Sequence, residues 1–458
     1  MQHIFREYDI RGVFEKDLNE RTVKLIGYFL GKKIKEYGDY AVVTQDARIH
    51  SKTLSDWIVS GMNAANVIVL HGGLVPTPIN YFCNFNSFQV GGKQIVPAGS
   101  IQITGSHNPP EYNGFKITID KRPFFGEDIY ALKDEVKRAD IIIPTESDSI
   151  SINALDAYVE YLAKEFSDLQ GLELDMIIDC GNGVAGVAIE PLLEKLKIST
   201  DKLYFKPDGT FPNHHPDPSE EKNLVDIKRE LKNEAKYGFA FDGDGDRIAF
   251  LTQKYNFKGD ILALFFAKMM DNPTVIGEVK CSQIMYDEIN KFGKSMMYKT
   301  GHSNLKIKLA KTKANLAAEV SGHIFFNDRY FGYDDAIYAM MRILQMLNNG
   351  FNFDAEYEKL PVLYATDEIK IEATDESKFM IVEALKSILN KQYSELGIKE
   401  IVTIDGVRVI FEDGWGLVRA SNTTPILVTR FEAKSHKSLE RIQTLMDNLI
   451  KEAKAQIE

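Results

Sequence analysis

Short β-rich runs alternate with helix-like stretches through most of this chain, and no other feature constrains its fold as much. The runs are YAVVTQDAR (40–48), NVIVLHGG (66–73), SIQITGSHN (100–108), DMIIDCGNG (175–183), YGFAFDGDGDR (237–247) and TVIGEVKCS (274–282). Each leads into small or polar residues, and stretches such as RTVKLIGYFLGKKIKEYG and AIEPLLEKLKI lie between them. A strand, a helical crossover and a further strand make an α/β unit, whose ligands bind at the carboxyl ends of the strands. From residue 366 the pattern changes. EIVTIDGVRVIFEDG alternates apolar and polar residues around Asp405-Gly406, which predicts a hairpin with a type I′ turn. PILVTRFEA reads as another strand, and Leu439, Ile442, Leu445, Met446, Leu449, Ile450 and Ala453 mark one face of a closing helix. The expected fold is therefore three mixed α/β-sheet domains (1–150, 151–252, 253–365) and an α+β domain (366–458).

The 458 residues carry a formal charge of −11, so no basic footprint for nucleic acid is visible. Three cysteines, Cys83, Cys180 and Cys281, are too few and too scattered for a disulfide framework and fit a reducing cytoplasm. No signal peptide opens the chain, and no apolar run reaches the ~20 residues that a membrane span needs. A cytoplasmic protein that binds no membrane and works as a monomer is the expectation.

Four loops offer chemistry. TGSHNPPEYNGFKI (104–117) sets Ser106 between a glycine and His107, follows with Pro109-Pro110 and then presents Lys116. DGDGDR (242–247) places Asp242, Asp244 and Asp246 at alternate positions, with glycines that permit a sharp turn around a hard cation. It fails as an EF-hand, since Arg247 and Gln253 occupy the sixth and twelfth positions. AEVSGHIFF (318–326) sets Glu319, Ser321 and His323 on one face if the stretch is extended, where they suit a polyol. RASNTTP (419–425) joins Arg419 to Ser421, Asn422, Thr423 and Thr424, a set suited to a phosphate dianion. CGNGVAG (180–186), with Asp201 beyond it, has the outline of a dinucleotide fingerprint but stands in the second α/β unit.

In this order, and with YDIRG (8–12), PNHHPDP (212–218), EVKCS (278–282) and KTGHS (299–303), the loops resemble those of the α-D-phosphohexomutases, in their bacterial phosphomannomutase/phosphoglucomutase branch. The resemblance covers nearly the whole chain and implies that the four domains surround a central active-site cleft. It implies an isomerase that moves phosphate between O1 and O6 of mannose and glucose phosphates through a phosphoserine and a hexose 1,6-bisphosphate. It implies Ser106 as the carrier, with Gly105 leaving room for the phosphoryl group. One Mg²⁺ would be held by Asp242, Asp244, Asp246 and Ser106, with Arg11, His107, Lys116 and Arg247 around the transferred charge. Lys116 and His302 both stand as candidates to exchange the sugar proton. Tyr8, Lys280, Glu319, Ser321 and His323 would meet the sugar side, and Arg419, Ser421, Asn422 and Thr423 the distant phosphate. The chain departs from the family pattern at TQDAR (44–48) and AEVSGH, neither of which is expected to touch a catalytic group.

Three rivals remain open at this stage. Phosphoglucosamine mutase would run the same chemistry on an amino sugar. A haloacid dehalogenase-like phosphatase or mutase would use Asp242 as nucleophile, with Asp334-Asp335 as its late acidic pair. A non-enzymatic sugar-phosphate binder is the third.

Overall fold

The computed structural model describes residues 2–233, 235–422 and 424–457. Among them the strands form a seven-stranded, a five-stranded, a four-stranded and a six-stranded sheet in chain order, with one separate two-stranded hairpin. The first three sheets are mixed, as expected, and they share a plan that the sequence does not display. In each, a central strand pairs in parallel with the next two strands of the unit, one on either side. A fourth strand then returns antiparallel to the third.

In the first sheet these strands are Tyr40–Gln45, Ile68–Leu74, Gly99–Ile103 and Tyr112–Ile119. The second repeats the plan with Met176–Asp179, Asp201–Leu203, Tyr237–Phe241 and Ile248–Thr252. The third does so with Thr274–Glu278, Lys294–Tyr298, Leu316–Ala318 and Ile324–Phe326. Helices such as Ala185–Leu196 and His302–Thr312 make the crossovers that parallel strands require. The turn between third and fourth strands is thus equivalent in all three units. Those turns hold Ser106, the three aspartates and Glu319.

The fourth sheet is antiparallel along its path, and Gly414–Ala420 and Ile426–Ala433 form its central hairpin. The tip of that hairpin is the Ser421 loop, so all four predicted loops are hairpin turns. Helix His436–Ala455 covers the sheet with Ile442, Met446, Leu449, Ile450 and Ala453 buried. The expected Asp405-Gly406 turn is different. Val402 pairs with Arg408, so five residues (403–407) span the hairpin, and of the dipeptide only Gly406 takes a positive φ, +78°. Two-residue I′ geometry is excluded, and Asp405 is released to turn toward the cleft.

One continuous apolar core runs through the first three units, joining Val42, Ile79 and Tyr158 to Phe239, Leu264 and Met340. The fourth unit has its own, built on Leu385, Val409, Phe431 and Met446. Fully buried Arg408 ties the two parts together. It donates to the carbonyls of Val279 (2.7 Å) and Cys281 (2.8 Å) and stacks 3.7 Å over the Trp415 ring. No helix among the described residues is long and apolar enough to cross a membrane.

Candidate active site

The four hairpin tips converge on a cavity of about 660 Å³. Tyr8, Arg11, Ser106, His107, Lys116, Arg247, Lys280, His302, Glu319, Ser321, His323, Arg419, Ser421 and Asn422 line it. The three aspartates lie fully buried beneath its floor. Thr423 lies outside the described residues.

Ser106 sits at φ +48°, in the left-handed region that a serine enters only when its neighbours hold it there. Its N–H donates to Thr104 Oγ1 at 2.8 Å, and its hydroxyl donates to Asp242 Oδ2 at 3.0 Å. The loop is held chiefly by Arg48, which donates to the carbonyls of Ser106 (2.9 Å), Asn108 (2.6 Å), Pro109 (2.6 Å) and Tyr112 (3.0 Å). Asp46 pairs with the Arg48 guanidinium at 3.3 Å and accepts from the Gly105 N–H at 3.2 Å. This corrects one expectation and adds to another. The TQDAR segment does reach the serine loop. Gly105 is small for another reason too, because a Cβ there would lie 2.4 Å from Arg48 Nε. The space it preserves belongs to the guanidinium.

Glycines also let the loops stack. A Cβ on Gly243 would lie 2.5 Å from the Ser106 carbonyl oxygen, and one on Gly183 would lie 2.6 Å from the Gly243 carbonyl oxygen. The outline of a dinucleotide fingerprint around Gly183 therefore resolves into backbone packing beneath the aspartate loop.

The aspartates form a cluster whose carboxylate oxygens lie within 4.8 Å of one another. Lys116 Nζ donates to Asp244 Oδ2 at 2.7 Å and to Asp246 Oδ2. Thr77 Oγ1 also donates to Asp244 Oδ2. Asp244 Oδ1 and Asp246 Oδ1 are buried and accept no hydrogen bond. Buried oxygens of this kind are costly unless something binds them. Burial, reinforced by Asp244 and Asp246, raises the Asp242 carboxyl well above the usual range. Burial pushes Asp244 the same way, but Lys116 more than reverses it and holds that carboxyl below its ordinary value. An all-oxygen set with orphaned acceptors fits a hard divalent cation.

Around Ser106 the cations are held in place. Arg11 donates to Asn108 Oδ1 at 2.6 Å and to the Gly105 carbonyl at 3.3 Å, and it pairs with Asp9. Arg247 lies 2.8 Å from His107 Nδ1 through Nη2 and donates from Nε to His323 Nε2 at 3.0 Å. Burial, with Arg247 beside it, lowers the His107 imidazole well below its ordinary value. Burial, with Lys306 beside it, does the same to His302. The His302 Nδ1 makes no hydrogen bond.

On the sugar side Glu319, Ser321 and His323 stand on a hairpin turn and not on an extended run. The Glu319 N–H donates to the His323 carbonyl at 2.9 Å, and Gly322 stands at φ +100°. Glu319 Oε1 accepts from the Gly301 N–H at 2.7 Å, and Ser321 still faces the cavity. Lys280 donates to Glu368 Oε1 at 2.6 Å and lies 3.4 Å from Glu278 Oε1.

At the far end Asp405 Oδ2 accepts from Arg419 Nε (3.1 Å) and from the Thr300 N–H (2.9 Å). Tyr8 spans the cleft, donating to the Thr300 carbonyl at 2.9 Å and accepting from Asn422 Nδ2 at 2.7 Å. Arg48, Asp46, Asp405 and Glu278 were not found from the sequence. Asp46 and Arg48 lie far in the chain from the serine loop they hold.

Asp335, half of the late acidic pair required by the aspartyl-nucleophile reading, is spent on structure. It caps helix Ala336–Asn348 by accepting from the Tyr338 N–H and also accepts from the Tyr158 and Tyr330 hydroxyls.

Four family descriptions match the chain in series. These are the phosphoglucomutase/phosphomannomutase alpha/beta/alpha domains I, II and III over residues 2–140, 156–256 and 244–364, and the C-terminal domain over 368–449. A phosphomannomutase/phosphoglucomutase of Pseudomonas aeruginosa is 39% identical over 459 aligned positions, which cover 98% of this chain and 95% of that one. A Neisseria gonorrhoeae phosphoglucomutase is 37% identical, with 96% and 95% covered. The solved structure of a phosphoglucomutase/phosphomannomutase family protein from Burkholderia thailandensis superposes with a TM-score of 0.90 at 37% identity, covering 99% of this chain and 98% of that one.

Proposed function

The chain belongs to the phosphoglucomutase/phosphomannomutase family, and from that premise we propose that it moves a phosphoryl group between O1 and O6 of glucose and mannose phosphates. One observation carries the assignment to this site: the Ser106 hydroxyl is hydrogen-bonded to Asp242, above carboxylate oxygens that nothing satisfies. Ser106 is the phosphate carrier, and covalent transfer divides one hard step into two easier ones.

In the first half-reaction the bond between phosphorus and Ser106 Oγ breaks as one forms to a sugar hydroxyl, giving a hexose 1,6-bisphosphate. In the second the other phosphate returns to Ser106. Mg²⁺ bound by Asp242, Asp244, Asp246 and the phosphoryl group on Ser106 would supply charge neutralisation at phosphorus. Arg11, Lys116 and Arg247 add fixed positive charge beside the same atom. Lys116 is bonded to two carboxylates, which more than offset the effect of burial and hold its proton. His302 is a neutral imidazole with an unbonded Nδ1, so the proton of the attacking hydroxyl passes to His302 in this reading. Glu319 and Ser321 meet sugar hydroxyls, Lys280 and His323 lie beside them, and Arg419, Ser421 and Asn422 hold the phosphate that is not reacting. We assign Thr423 to that phosphate from its place in the sequence.

The same reading makes the protein a cytoplasmic monomer with small-molecule substrates and no nucleic-acid partner. Its three cysteines are buried free thiols, consistent with a reducing compartment. The test is turnover of glucose, mannose, glucosamine and galactose 1-phosphates side by side. No side chain assigned here is dedicated to O2, so glucose and mannose should differ by about tenfold to thirtyfold in kcat/KM, or roughly 1–2 kcal/mol. Galactose, with O4 inverted at Glu319, should be poor. No turnover of any of these sugars would remove the reading.

A further inference from the structure

Asp334 lies behind the sugar-side wall, fully buried, on a strand bridge to Phe325. Its Oδ1 is 2.9 Å from Lys306 Nζ, and its Oδ2 is 2.9 Å from His323 Nδ1, an approach that is short but not linear. Asp246 Oδ1 lies farther from the same nitrogen, at 3.6 Å. The Lys306 ammonium in turn rests 3.8 Å over the Tyr81 ring.

Two uses of this cluster compete. Asp246, His323 and Asp334 present donor atoms within 4.8 Å of one another, which is compact enough for a second cation. Alternatively, Asp334 orients the imidazole. The other ring nitrogen decides between them. Arg247 Nε has only a proton to offer, so His323 Nε2 must accept it. A neutral imidazole then carries its own proton on Nδ1 and has no lone pair there for a metal. That N–H faces Asp334, whose charge Lys306 already balances.

We infer that Asp334 is a positioning residue: it holds His323 in the Nδ1–H tautomer, so that Nε2 accepts from Arg247 and fixes the guanidinium that reaches His107 beside Ser106. The line runs from Asp334 through His323 and Arg247 to His107, whose ring lies against the serine. Only the activity readout rests on the proposed phosphoryl transfer.

The conservative substitution Asp334→Asn tests this sharply because Lys306 dictates how the amide sits. Lys306 needs an acceptor, so the amide oxygen turns toward it and the NH₂ faces His323 Nδ1. The imidazole must then move its proton to Nε2, where it opposes the Arg247 N–H.

The tautomer is read by long-range ¹H–¹⁵N correlation on histidine-labelled protein, with the His323 signals assigned through His323→Asn. Wild type should show His323 as Nδ1–H, with and without Mg²⁺, and Asp334→Asn should show it as Nε2–H. With the thermal midpoint within a few degrees of wild type, kcat should fall on the order of ten- to a hundredfold, the usual scale for losing such a support. KM should stay within about threefold, because Glu319, Ser321 and Arg419, which hold the sugar and the far phosphate, are untouched.

Wild-type His323 protonated on Nε2 would overturn the inference. So would an unchanged tautomer in Asp334→Asn, whatever happens to the rate, or a second Mn²⁺ bound per chain by wild type and lost in the variant. Absence of turnover by wild type with every sugar would strike the proposed reaction instead and leave the tautomer result standing.

Discussion

The Ser106 hydroxyl donates a 3.0 Å hydrogen bond to Asp242 Oδ2, joining two loops that lie 136 residues apart in the chain. The contact sets two possible nucleophiles side by side, and the chemical stability of the phosphoenzyme tells them apart. A serine phosphate survives acid and resists hydroxylamine, whereas an acyl phosphate on aspartate is released by hydroxylamine. Protein charged with ³²P from labelled glucose 1,6-bisphosphate should keep its label under both conditions. Ser106→Ala should fold normally and lose nearly all turnover. Label on Asp242 would reverse the assignment.

The orphaned oxygens of Asp244 and Asp246 lead to a second expectation. Chelation with EDTA should abolish turnover, Mg²⁺ should restore it, and Asp244→Asn should raise the Mg²⁺ concentration needed for half-maximal rate. Mg²⁺ should also raise the thermal midpoint of wild type more than that of the variant, since ligand bound to the native state stabilises it. Full turnover after exhaustive chelation would exclude the site.

Arg48 offers a test of how the serine loop is held. Its guanidinium serves four backbone carbonyls and the Asp46 carboxylate. Removing one partner of a buried pair costs about 3–5 kcal/mol. Arg48→Ala should lose stability on that scale in urea denaturation, and Ser106 should take up phosphate far more slowly. Gly105→Ala should show the second effect with less of the first. Its methyl group meets a guanidinium that its carbonyl partners prevent from retreating. Wild-type labelling rates in both variants would mean that the loop holds itself.

Much of this was legible in the sequence, for reasons that can be named. Strands ending in Gly-, Ser- and Asp-rich loops mark sheet edges, and the four loops carry side chains whose chemistry is evident from the residue types. What was hidden depends on backbone direction. Arg48 works through carbonyl oxygens, which no residue letter displays. Glu319, Ser321 and His323 alternate with other residues in a tight turn as they would in a strand, so period alone could not separate the two. The Asp405-Gly406 pair is a good turn signal, but loop length is set by where pairing with Arg408 stops. The shared plan of the three units lies in strand order, which the differing loops conceal.

Glu278 supplies a pH dependence. Burial, with Glu319 nearby and against the pull of Lys280, raises its carboxyl from the ordinary 4.5 to about 7. Between those values the folded chain holds a proton that the unfolded chain has released. Stability from this group is therefore present at low pH and lost as pH rises from about 4.5 to about 7. Glu278→Gln keeps an acceptor for Thr300 Oγ1 but removes the titration. Denaturation midpoints followed from pH 4.5 to 7.5 should show wild type losing ground against Glu278→Gln across that window. Parallel curves would remove the effect.

The division of apolar cores has a mechanical consequence. The aspartate and Glu319 tips rise from strands of one continuous core, while the strands that flank Ser106 pack on a second cluster built on Ile101, Ile103, Phe115 and Ile117. The fourth rides on a separate core, pinned by Arg408 on one flank and touching Tyr8 through Asn422 on the other. A unit with its own core is expected to move as one body against the rest. Such a motion would change the distance from Arg419 to Ser106 more than that from Ser106 to Asp242, which a hydrogen bond joins. The reacting groups can stay assembled while the opening is adjusted.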